Sequence, residues 1–126
     1  MKKILIVIAD YYEDISSSLL KSAKNNLNNF SINVIRVPGV FEIPITISKN
    51  IKKYDAFVAL GCVIKGETPH FNFISSASAQ AIMNISVSSK KPIGNGIITC
   101  LNMKQAKARA KKGKEAAKAV ISVLSQ

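Results

Sequence analysis

The sequence is poor in the residues that usually announce chemistry. It has one histidine (His70), two cysteines (Cys62 and Cys100) and no tryptophan, and aromatic residues make up only 6% of it. Two cysteines are too few for a disulfide scaffold and lack zinc-site spacing; one histidine without thiol or carboxylate partners is too few for a metal centre. No metal is expected. No uninterrupted apolar run approaches the roughly 18 residues that a membrane span needs, so no membrane association is expected. The short run over residues 4–9 lacks a small-residue cleavage site, and Asp10, Glu13 and Asp14 follow at once, which argues against a signal peptide. The sequence therefore reads as cytoplasmic. Four prolines and six glycines are scattered rather than gathered in a linker, so residues 1–126 are expected to form a single domain.

Acidic residues are scarce as well: seven, against eighteen lysines and arginines, for a net charge of +11. Such a balance suggests a polyanionic partner. The excess is unevenly placed, with residues 1–63 at net +3, residues 64–126 at net +8, and seven basic side chains between Lys104 and Lys118. The aromatic–basic interleaving of a surface that stacks on bases is missing, which weighs against nucleic acid. What is abundant is hydrocarbon. At 48% hydrophobic and a mean hydropathy of +0.18, the chain has enough to offset the entropy of ordering.

That hydrocarbon is patterned. Ile4-Leu5-Ile6-Val7-Ile8-Ala9 is a continuous run typical of a strand buried on both faces. Ile15, Leu19, Ala23 and Leu27 recur at helical spacing. Residues 32–37 read as a second strand, stopped by Pro38-Gly39, and Phe41, Ile45 and Ile51 suggest a short helix with Pro44 in its first turn. Residues 56–60 read as a third strand ending at Gly61. Phe71, Ile74, Ala77, Ala81 and Ile85 mark a third helix, residues 92–99 a fourth strand, and one straight helix is predicted from about 103 to 124. Alternating strands and helices predict a parallel four-stranded sheet covered on both faces, an α/β three-layer αβα sandwich of flavodoxin-like type. Ligands of such sheets sit beyond the carboxyl ends of the strands, here the loops at 10–14, 38–42, 62–71 and 100–102.

Those loops hold the chemically interesting residues. Gly61-Cys62-Val63-Ile64-Lys65-Gly66-Glu67-Thr68 is not a phosphate loop of the nucleotide-binding kind, because Glu67 stands where a lysine is needed. In Gly66-Glu67-Thr68-Pro69-His70, Glu67 and Thr68 fit two readings: capping of the following helix, or an anion site at its N-terminus. His70 is either an ordinary surface residue or a group for proton transfer near neutral pH. Val37-Pro38-Gly39-Val40-Phe41-Glu42-Ile43-Pro44 is either a strand-to-helix turn with a core Phe or a ligand wall with a carboxylate. Tyr11-Tyr12 offers a ring that could stack on a flat heterocycle. On a straight last helix, Met103, Ala106, Ala110, Gly113, Ala117, Val120 and Leu124 share a face. Lys104, Lys107, Lys111, Lys114 and Lys118 form a solvated stripe beside it, and Arg109 lies on the opposite flank of the apolar arc, placed to hold a phosphate. Cys62 and Cys100 read as small buried hydrophobes.

Together these clusters resemble the 6,7-dimethyl-8-ribityllumazine synthase family. The octapeptide beginning at Val37 is similar to the family's V-P-G-[AS]-[FW]-E-[IL]-P. The run from Ala59 to Phe71 is similar to A-L-G-[ACT]-V-I-[RK]-G-E-T-x-H-[FY]; Gly94-Asn95-Gly96 and Gln105-Ala106-x-x-Arg109-Ala110 follow in order. The resemblance implies a transferase of riboflavin biosynthesis that condenses 5-amino-6-ribitylaminouracil with 3,4-dihydroxy-2-butanone 4-phosphate, without cofactor or metal. It implies proton transfer by His70 and phosphate binding by Glu67, Thr68 and Arg109. It also implies stacking by Tyr11, ribityl and ring contacts from Val40, Phe41 and Glu42, and pyrimidine contacts from the backbone of Cys62, Val63 and Ile64. Asn95 falls at a position supplied by the neighbouring subunit, and Lys112 is the candidate for a ribityl-contacting lysine. The implied assembly is a homopentamer with sites between subunits, functionally linked to riboflavin synthase. The family's extra N-terminal strand has no counterpart before residue 1, and the stretch between Arg109 and Gly113 is short; both favour a pentamer over a sixty-subunit capsid. Two other readings predict different behaviour. A flavodoxin-like module using its lysine stripe on nucleic acid predicts salt-sensitive binding; a catalytically dead relative predicts ligand binding without turnover.

Overall fold

The computed structural model describes residues 1–66 and 71–126; Glu67, Thr68 and His70 lie outside the described residues. The apolar runs form the strands β1 (Lys3–Ala9), β2 (Ser31–Val37), β3 (Ala56–Ile64) and β4 (Ile93–Cys100). All pair in parallel, in the order β2-β1-β3-β4. The connecting helices are α1 (Glu13–Lys24), α2 (Ile43–Lys49), α3 (Phe71–Ser89), α4 (Met103–Arg109) and α5 (Gly113–Leu124). The expected three-layer α/β architecture is present, and the strand order reverses direction between β1 and β3, the place where such sheets bind ligands.

β1 and β3 are central and buried on both faces, as their unbroken apolar sequences require. Each fully buried aliphatic side chain there contributes about 1.5–3 kcal/mol relative to exposure. One face packs Ile4, Ile6, Ile8, Leu60, Cys62 and Ile98 against Ile15, Leu19, Ala106, Ala117 and Val120 of α1, α4 and α5. The other packs Leu5, Val7, Phe57, Ala59 and Val63 with Val40, Ile43, Ile47 and Ile82. Ser16 stitches α1 onto β1: its hydroxyl donates to the carbonyls of Ala9 and Tyr12, each at 2.9 Å.

Three predicted features differ. β3 does not end at Gly61 but continues to Ile64, because β4 pairs with it as far as Ile64–Cys100. The last helix is not straight: a 3-10 turn over Ala110–Lys112 separates α4 from α5. The chain passes close to α1 just after this turn. Gly113 packs so tightly on α1 that a Cβ there would land on the Leu19 carbonyl oxygen. The predicted apolar face nevertheless survives from Ala106 to Val120, with Met103 and Leu124 less buried at its ends. Finally, the apolar faces of the middle helices are offset. In α2 the core residues are Ile43 and Ile47, while Phe41 and Ile45 are 65% and 60% exposed; in α3 they are Ser78 and Ile82, with Ala77 outside.

Candidate active site

The carboxyl end of the sheet is built from strands of unequal length. β1 pairs with β3 only as far as Ile8–Leu60, whereas the β3–β4 ladder runs on to Ile64–Cys100. Cys62, Val63 and Ile64 therefore lie on a strand rather than in the predicted loop, and β1 does not continue alongside them. Their side chains are buried: Cys62 and Ile64 on the α1/α4/α5 side, Val63 on the α2/α3 side. What this segment can offer a ligand is backbone. Gly66 ends the segment with φ +85°, a left-handed turn that suits glycine.

Tyr11 stands at the carboxyl end of β1 with its ring 66% exposed; Tyr12 packs half-buried against the core, the two rings meeting edge-on at 4.8 Å. The turn that carries them is tied across the sheet end. Asp10 donates its amide to the Val37 carbonyl at 3.2 Å, and its carboxylate pairs with Arg36 at 3.6 Å. On the next loop, the core position belongs to Val40, and Phe41 points outward, which removes the reading of Phe41 as a core residue. Phe41 and Glu42 line a mostly apolar groove of about 480 Å³ with Pro44 and Ile45 and with Ile74, Ala77, Ser78 and Ala81 of α3.

Arg109 is the last residue of α4, where the helix gives way to the 3-10 turn instead of continuing straight as first expected. Its Nη1 donates to the Thr99 carbonyl at 3.0 Å, which holds the exposed guanidinium beside the end of β4. α4 itself begins with a reciprocal cap: the Gln105 amide donates to Asn102 Oδ1 at 2.9 Å, and Gln105 Oε1 accepts from the Leu101 amide at 2.8 Å. Sequence reasoning missed these positioning residues, although the Asn-x-x-Gln spacing carried the signal. Arg109 and Lys112 share a polar recess of about 380 Å³ with Ala108, Lys111 and Glu115. The lysines from 104 to 118 are all exposed, as a solvated stripe should be. Asn95 lies elsewhere, exposed on the edge strand β4, with Oδ1 accepting from the Ile97 amide at 3.0 Å. It borders a recess of about 350 Å³ with Ser75, Ser76, Ser78, Ala79, Ile97 and Thr99.

Within one chain the candidates thus line three recesses, Phe41 with Glu42, Arg109 with Lys112, and Asn95; Ser78 borders both the first and the third, and Thr99, whose carbonyl holds Arg109, borders the third. Cys62 is no nucleophile. Burial, then the charge and hydrogen bond of Cys100, pushes its thiol up to about 12, so at neutral pH it is fully protonated. Among the described residues no three His, Cys, Asp or Glu side chains gather as a metal site.

Parallel strands in the order 2-1-3-4 with helices on both faces define a flavodoxin-like α/β protein. The likeness to a 3-dehydroquinate dehydratase-like protein from Bifidobacterium longum, 14% identical with a TM-score of 0.53 over 100% of both chains, shows the same fold and nothing more. Sequence comparison is narrower. Residues 1–126 match the family model of 6,7-dimethyl-8-ribityllumazine synthase. A 6,7-dimethyl-8-ribityllumazine synthase 1 of Rhodopseudomonas palustris is 44% identical, over 97% of this chain and 83% of its own length. A synthase of Agrobacterium fabrum is 42% identical, over 96% and 91%. The chain belongs to the 6,7-dimethyl-8-ribityllumazine synthase family, transferases of riboflavin biosynthesis.

Proposed function

We propose that the chain, acting as one domain over residues 1–126, condenses 5-amino-6-ribitylaminouracil with 3,4-dihydroxy-2-butanone 4-phosphate to 6,7-dimethyl-8-ribityllumazine. The observation that carries this reading on the structural side is Arg109, a guanidinium fixed by the Thr99 carbonyl at the sheet end where a phosphate would arrive. The amine attacks the ketone and loses water to give an imine; phosphate is then eliminated, and ring closure releases a second water. Arg109, with Glu67 and Thr68, binds the phosphate and stabilises the charge that grows on it as it leaves. His70 moves protons in the imine and elimination steps. Tyr11 stacks on the pyrimidine, the backbone of Cys62–Ile64 reads its edge, and the segment of Val40, Phe41 and Glu42 holds the ribityl chain with Lys112. Because the reactants are joined by positioning, the reading needs no cofactor.

Asn95 enters the site from a neighbouring subunit of a homopentamer. The exposed apolar residues Phe41, Ile45, Phe73, Met83 and Val87 on α2, α3 and the turn before α2 support that arrangement. The product is the substrate that riboflavin synthase consumes, the expected functional link. No helix among the described residues is long and apolar enough to cross a membrane, and the proposed setting is the cytoplasm. Incubation with both substrates is expected to yield a fluorescent lumazine and one phosphate per product; absence of product at saturating substrate overturns the proposal. Light scattering is expected to give five chains per particle.

A further inference from the structure

The chain has only two cysteines, and the fold brings them side by side. Cys62 lies on β3 and Cys100 on β4, and the register opposes Cys62 to Ile98 and Ile64 to Cys100. The two cysteines are therefore diagonal neighbours on one face of adjacent strands. They are 8% and 1% exposed, in the cluster that contains Ala106 and Ala110 beneath α4 and the turn after it. Their thiols are within hydrogen-bonding reach of each other, and neither is in a disulfide.

We infer that Cys62 and Cys100 form a dithiol clamp for one soft, two-coordinate divalent cation, for which Hg(II) is the probe. Thiolate sulfur selects thiophilic ions. In a parallel pair, strands about 4.8 Å apart with a rise of about 3.3 Å per residue put the Cα atoms of residues offset by two about 8 Å apart, whereas a disulfide needs less than about 7 Å. An atom inserted between the sulfurs thus fits the register better than a direct S–S bond. Binding is balanced without any oxidant: two S–H and two Hg–Cl bonds break, two S–Hg bonds form, and two protons and two chlorides pass to solvent with no change of oxidation state. Charge decides among the candidates. A divalent ion cancels both thiolates and leaves a neutral group in an apolar core, whereas a monovalent ion leaves a buried negative charge. Zinc needs four ligands, and no third His, Cys, Asp or Glu joins the pair among the described residues.

The test uses the full chain in thiol-free buffer, titrated with mercuric chloride and followed by native mass spectrometry and ultraviolet sulfur-to-mercury absorption. It is independent of synthase activity. One ion per chain is expected, retained against excess glutathione. Cys62→Ala and Cys100→Ala should each release it about a hundredfold more readily, because a second tethered ligand adds that much or more in effective concentration. Cys62→Thr provides a second variant should alanine leave the fold unstable. Two ions per chain, single variants that hold mercury as firmly as the parent, or loss of circular dichroism on binding would each overturn the inference.

Discussion

Replacing Arg109 by alanine removes the one guanidinium that α4 directs back over the end of β4. The side chain is exposed and, among the described residues, its hydrogen bond is to the Thr99 carbonyl at 3.0 Å, so the substitution leaves the core intact. Global stability should change by no more than about 0.5 kcal/mol. Binding should change more. A hydrogen bond to a charged group contributes about 1.5–3 kcal/mol, which is roughly ten- to 150-fold in affinity. Because solvent screens an exposed arginine, the lower end applies, and KM for the butanone phosphate is expected to rise about tenfold. KM for the pyrimidine should stay within about twofold, since a dianion and a neutral ring draw on different partners. Inorganic phosphate should lose potency as a competitive inhibitor in parallel, and Arg109→Lys should fall between, keeping the charge but not the fork. Steady-state kinetics with each substrate varied at saturation of the other provide the measurement. Equal rises in both KM values would refute the assignment of Arg109 to the phosphate.

Gly113→Ala places a methyl group against the Leu19 carbonyl and should cost about 1–3 kcal/mol, read as a lower denaturation midpoint at unchanged slope. Cys62 makes stability sensitive to alkali. Its folded-state thiol titrates near 12 rather than 9.0, so its contribution is complete below pH 9 and is lost as pH rises toward 12. Cys62→Ala should flatten the fall in melting temperature over that window, and an unchanged slope would count against the buried thiol. His70→Ala should lower turnover without abolishing it, because positioning still operates; a parental rate in single-turnover assays would remove His70 from the mechanism.

Much of the molecule is legible in one dimension. The runs ILIVIA and AFVAL identify central strands because a strand covered on both faces must be apolar at every position. The alternation of strands with helices then leaves a parallel sheet as the arrangement. The Val-Pro-Gly-Val-Phe-Glu-Ile-Pro segment and the run from Ala59 to Phe71 carried the family. Local pattern misled where a neighbour decided the outcome. Gly61 looks like a strand terminator, yet β4 supplies pairing partners through Cys100 and draws β3 on to Ile64. Phe41 looks like core, yet Val40 fills the space beside Gly61 and turns the ring outward.

The sequence by itself determined which segments form strands and helices, the class of sheet they build and the family to which the chain belongs, because each follows from periodicity or from contiguous residue identity. The tertiary structure decided how far β3 runs, where the last helix breaks, where Arg109 points and that Cys62 lies beside Cys100. Each of these depends on contacts between residues far apart in the chain: strand pairing across the sheet, the approach of Gly113 to the α1 backbone, and a carbonyl on β4 within reach of an arginine ten residues later. Spacing along the chain carries no term for such contacts, since their energy arises only once loop closure has brought the partners together.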